Sequence, residues 1–93
     1  MALTKFQENQ LKKFKPTKPV YFQQHVDDCE HWGDMRRERQ NVEDFIGRFG
    51  GHVTDEFWDG NDCGEAYIEC CVPFANARAV METKYFLYDA FQR

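Results

Sequence analysis

The residues able to do metal or nucleophilic chemistry are four cysteines, Cys29, Cys63, Cys70 and Cys71, and three histidines, His25, His31 and His52. A structural zinc site needs four converging ligands, usually supplied as paired knuckles of the C-x₂-C kind. His25, Cys29 and His31 lie close together in the chain, but no such knuckle pair occurs. The run from Asp59 to Gly64 opens like a calcium loop, yet Cys63 stands where an acidic ligand belongs and Cys70 where the closing glutamate belongs. Cys29 or Cys63 could serve as a nucleophile with His25, His31 or His52 as base. Nothing around them forms a nucleophile elbow or a phosphate-cradling glycine loop. The expectation is therefore no metal, no cofactor and no catalysis. Adjacent Cys70 and Cys71 sit in a strand-like run and should point to opposite faces as free, buried thiols.

Charge carries more information. The 93 residues hold 12 Lys and Arg against 16 Asp and Glu, a formal net charge of −4. Residues 1–20 carry five lysines and Glu8 alone, so a basic arm precedes an acidic body. Within that body Asp55, Glu56, Asp59, Asp62 and Glu65 crowd one hairpin around Trp58. Carboxylates on a rigid hairpin can imitate phosphates and enter a basic groove, with Phe57 and Trp58 as aromatic anchors. The competing reading is a solvated loop that maintains solubility. A second candidate surface comprises Lys12, Lys13 and Lys15 of the arm with Arg36, Arg37 and Arg39 of the central helix. Tyr21, Trp58 and Tyr67 would then stack bases on an open sheet face. Glu56 and Glu69 would share that face and oppose a phosphate backbone.

The elements that must position these residues follow from periodicity. Leu3, Phe6, Leu11 and Phe14 predict a short amphipathic helix over 3–15, closed by Pro16 and Pro19. Val20–Val26 predicts a strand with Val20, Phe22 and Val26 on one face. Asp27–Phe49 is the most helical stretch: Met35, Val42, Phe45, Ile46 and Phe49 form an apolar stripe, Gly33 interrupts the run so that Asp34 can cap the regular helix, and Gly50-Gly51 stops it. His52–Trp58 and Glu65–Phe74 predict a hairpin, with Val53 and Phe57 on one face and Pro73 at the strand end. Asn76 should cap a last helix over Ala77–Gln92, whose Val80, Leu87 and Phe91 form an apolar line.

The order α-β-α-β-β-α predicts an α+β fold: a three-stranded antiparallel sheet with helices packed on it. It is ferredoxin-like β-α-β-β-α with an extra N-terminal helix. Residues 1–19 form the basic helix and Pro-containing arm, and residues 20–93 a single domain. The third strand should lie between the first two. No apolar run is long enough to span a membrane, and the first residues lack the apolar core of a signal peptide. Both features point to the cytoplasm.

A small acidic α+β domain, without a catalytic motif, bearing the Asp55–Glu65 hairpin and a basic arm, resembles in type the inhibitor proteins of bacteriophages and mobile elements. Anti-CRISPR proteins are one example. The resemblance implies a stoichiometric inhibitor in the host cytoplasm, binding a host protein or nucleoprotein complex by steric occlusion or nucleic-acid mimicry, with possible contact to RNA or DNA. It assigns no individual residue. The alternative is a small RNA- or DNA-binding module.

Overall fold

The computed structural model describes residues 3–26, 32–58, 66–86 and 90–93, and only the backbone of residues 32–34 and 58. In chain order they form α1 (Lys5–Lys13), β1 (Val20–Val26), α2 (Trp32–Gly47), β2 (His52–Trp58), β3 (Ala66–Val72) and α3 (Phe74–Thr83). The class is α+β, with one antiparallel sheet in the order β1-β3-β2. A ferredoxin-like relationship beyond that class rests on element order alone.

Each boundary has a local cause. Thr4 caps α1 through a reciprocal box: its hydroxyl accepts from the Gln7 N–H, and the Gln7 amide oxygen accepts from the Thr4 N–H, both at 3.1 Å. The α2 chain reverses at Gly50, whose φ of 76° is the left-handed stop. Gly51 has a different role. A Cβ there would lie 2.3 Å from the Cys71 carbonyl oxygen and 2.7 Å from both Ile46 and Val72 side chains. Only glycine lets the chain leave α2 this close to β3.

One face of the sheet is buried under the helices. Val20, Phe22 and Val26 of β1, Ala66, Ile68, Cys70 and Val72 of β3, and Val53 of β2 form the core. Met35, Val42 and Ile46 of α2 and Ala77, Val80 and Met81 of α3 complete it. Phe22 stacks on Phe86, and Phe45 stacks on Tyr85 with centroids 3.9 Å apart. The α1 helix joins this side of the sheet. Leu11 and Phe14 pack on the core, and the Glu8 carboxylate takes two hydrogen bonds from Arg78 of α3 at 2.6 and 2.7 Å.

Four sequence expectations are corrected. The helix α2 begins at Trp32, so Asp34 lies inside it and is not its N-cap. Asn76 does not cap α3; it sits in the first turn and its side-chain amide donates to the Phe49 carbonyl at 2.7 Å, tying α3 to the end of α2. The last helix spans Phe74–Thr83 rather than Ala77–Gln92, because Lys84 adopts φ 58° and ends it. Residues 90–93 instead return along β1: Phe91 and Tyr21 exchange both backbone hydrogen bonds, at 2.7 and 3.0 Å. Finally, Val53 and Phe57 do not share a face. The register slips between Val53 and Asp55, so Thr54 is an extra residue and everything beyond it turns over. Glu56 now pairs with core-facing Ile68, and Phe57 with Tyr67 on the opposite face.

Candidate interaction surface

The face of the sheet away from the helices is built from three cross-strand rows. Register places Tyr21, Cys71 and His52 in one row, Gln23, Glu69 and Asp55 in the next, and His25, Tyr67 and Phe57 in the third. Alternation along β1 and β3 sets the first two columns. The Thr54 bulge sets the last, because it brings Phe57 to the aromatic row and leaves it 38 % exposed. The His25 ring leans on Tyr67 with centroids 4.9 Å apart.

The returning C-terminal residues cover the other end of this face. Tyr21 and Phe91 stack with centroids 5.5 Å apart, and the Arg93 guanidinium carbon lies 5.2 Å from the Tyr21 centroid. Beneath it is Glu69, only 2 % exposed and the one buried charged residue among those described. The Thr54 hydroxyl donates to one carboxylate oxygen at 2.8 Å, and Arg93 donates to the other. The pairing with Glu69, and more weakly the charge of Asp55, raises the Arg93 pKa. Glu69 and Asp55 face each other across the ladder, a like-charge pair that a cation between them relieves.

An open cleft of about 350 Å³ adjoins this face, lined by Pro16, Pro19, Gly50, Val72, Pro73 and Phe74, with Lys18, His52 and Cys71 at its polar side. The Cys71 sulfur is 3.7 Å from the His52 ring nitrogen. Burial first, then the Glu69 charge, pushes the Cys71 thiol up. That is the opposite of the depressed pKa that makes a reactive thiolate. On the core side, burial raises Cys70 to about 12. Both thiols are free and buried, facing opposite sides of the sheet. Among the described residues no group of three or more His, Cys, Asp or Glu converges on a metal position.

The sequence-derived surfaces are partly divided. Asp55 is exposed on the open face, its carboxylate accepting from the Glu56 N–H at 2.8 Å. The Glu56 carboxylate turns to the helix side and pairs with Arg39, which also bonds Glu43 at 3.4 Å. Asp55 and Glu56 thus serve opposite faces. Of the remaining hairpin candidates, Trp58 is described by its backbone alone, opposite Ala66, and Asp59, Asp62 and Glu65 lie outside the described residues, as do Cys29, His31 and Cys63. Lys12, Lys13, Lys15, Arg36 and Arg37 are exposed, whereas Arg39 is held by its two carboxylates. The expected sharing of one face by Tyr21, Tyr67 and Glu69 holds, but Trp58 and Glu56, expected there too, stand opposite Ala66 and Ile68 in the register, Phe57 takes their place, and Phe91 and Arg93 join from outside the sheet. The alternation of Phe91 and Arg93 was the available signal, hidden by an apolar spacing that also fits a helix.

No helix among the described residues is long and apolar enough to cross a membrane. The fold thus defines an α+β domain with one sheet face packed under helices and, among the described residues, a second face on which His52, Asp55 and Phe57 are exposed. No protein-family description, curated protein or solved structure matches the chain.

Proposed function

We propose that this protein is a non-catalytic interaction protein, a stoichiometric inhibitor that occludes a host nucleic-acid-handling complex such as a CRISPR effector. The observation that carries this reading is the open sheet face. Phe57 and the carboxylate of Asp55 are exposed there, beside the half-buried rings of Tyr67 and His25. Aromatic anchors flanked by negative charge suit a basic protein surface, where rings supply buried area and carboxylates steer the encounter.

Affinity capture of the tagged protein from bacterial lysate, with and without nuclease, tests this reading. The expected result is a near-stoichiometric protein complex that survives nuclease. Asp55, Asp59 and Asp62 changed together to Lys, leaving the Glu56–Arg39 pair intact, should leave a folded domain that no longer captures it. Retained capture by that folded variant would remove the acidic surface from the mechanism.

A second reading, a small RNA- or DNA-binding module, draws support from exposed Lys12, Lys13, Lys15, Arg36 and Arg37. It predicts nuclease-sensitive capture of nucleic acid alone and binding that weakens steeply with salt.

A further inference from the structure

We propose that the open face contains a receptor site for a guanidinium group, filled in cis by Arg93, and that a partner's arginine displaces it. This inference rests on the interaction reading above and specifies the chemistry of the partner: a basic protein segment anchored by one arginine.

The cradle has three parts. Its floor is the Glu69 carboxylate, 2 % exposed, with one oxygen already taken by the Thr54 hydroxyl at 2.8 Å and the other presented to a donor. Its wall is aromatic, with Tyr21 and Phe91 centroids 5.2 and 6.0 Å from the guanidinium carbon. Its rim is Asp55, exposed and paired across the ladder with Glu69. A buried carboxylate beside stacked rings selects a flat, weakly hydrated cation with several donors. That describes arginine better than lysine.

Arg93 demonstrates the fit without being locked in. Its side chain is 57 % exposed, whereas its carboxylate partner is buried. The backbone around it is fastened by other groups. Phe91 is bridged to Tyr21, and Gln92 makes three hydrogen bonds with Lys15 and Lys18 backbone atoms at 2.8, 2.9 and 3.1 Å. Gln10 donates to the Ala90 carbonyl at 2.8 Å. Removing the Arg93 side chain therefore leaves floor and wall assembled. A competing arginine must displace Arg93, so the apparent affinity is the intrinsic one scaled down to the fraction of time Arg93 leaves the site empty.

The test compares wild type, Arg93→Ala and Arg93→Ala/Glu69→Gln, with N-acetyl-arginine amide and N-acetyl-lysine amide as probes, by NMR titration and thermal melting. Arg93→Ala should bind the arginine probe about ten-fold more tightly than wild type, shift the Tyr21 and Glu69 resonances and gain melting temperature from it. The lysine probe should do neither, and the double variant should lose the response. A glycine-flanked pentapeptide with a central arginine should bind Arg93→Ala at least as well as the amide. Folded Arg93→Ala with no gain for the arginine probe overturns the proposal. So does failure of Arg93→Ala to fold even with the probe present, because the pair would then be a fixed structural bridge. Binding of the amide without the pentapeptide overturns its extension to a protein segment. If the arginine amide and the pentapeptide bind as expected while the charge-reversed hairpin variant keeps its lysate partner, the acidic-surface mechanism fails and the guanidinium site stands.

Discussion

The two faces of one sheet have been built by different means. On the helix side, Ile68, Val72, Phe22 and Val20 are buried among other apolar side chains, and stability there follows area removed from water. On the open side, burial is local and polar. Glu69 is shielded by Thr54, Arg93 and the Tyr21–Phe91 stack, while Phe57 one row away stays exposed. The contrast teaches that one face holds the fold by apolar area, while the other keeps a single buried charge by pairing it with a hydroxyl and a guanidinium.

The sharpest way to break that division is to disturb the covered face at a point with no slack. Gly51→Ala drives a methyl group into the Cys71 carbonyl and two core side chains, and should cost about 3 kcal/mol or more in urea denaturation. Ile68→Ala, fully buried, should cost about 2–5 kcal/mol by leaving a cavity. A loss below about 1 kcal/mol for both would mean the helix side is not the stabilising one.

The two thiols offer a second comparison. Cys70 has its pKa raised from 9.0 to about 12, chiefly by burial. A raised folded-state value means the unfolded chain releases its proton first, so stability present below about pH 9 declines as pH rises and the loss is complete near pH 12. Its slope reaches at most about 1.4 kcal/mol per pH unit. Cys70→Ala should flatten alkaline denaturation curves over that window more than Cys71→Ala does.

Thr54→Val removes the hydroxyl that Glu69 accepts from, and should cost about 1.5 kcal/mol by equilibrium unfolding. A neutral result would show that Arg93 alone satisfies the carboxylate. Smaller still is the docking of α1. The Glu8 pKa is lowered, first by its hydrogen bonds with Arg78. The stability this pair contributes is present above the ordinary value of 4.5 and is lost as pH falls through the lowered one. Amide exchange in α1 should therefore rise in acid before exchange in β3 does. Phe57→Ala closes the series. It should cost about 1 kcal/mol, through the lost cross-strand contact with Tyr67, while weakening partner capture well beyond that loss, which separates recognition from folding on the same sheet.

How much of this was legible in the sequence depends on whether a feature is encoded locally. The apolar period of Val42, Phe45, Ile46 and Phe49, the Gly50 stop, Pro73 after β3 and the alternation in Val20–Val26 each act within a few residues. They determined the helices, the strands, the α+β class and a core drawn from one face of the sheet. A helical spacing through Leu87 and Phe91 is equally local, but it lost to the left-handed turn at Lys84 and to pairing with Tyr21 far away in the chain.

Of the candidate surface, only the alternating columns of β1 and β3, with Tyr21, Tyr67 and Glu69, were legible in this way. One extra residue, Thr54, exchanges the faces of Glu56 and Phe57, because side chains alternate with a period of two and a single insertion reverses every later one. Glu69 reads as a solvated charge in its strand and becomes buried because a segment from the other end of the domain folds over it. Sequence determined the elements and the covered core, since both arise from short-range periodicity. Tertiary structure decided the open face, because bulge register and the return of Phe91 to Arg93 depend on contacts between residues distant in the chain.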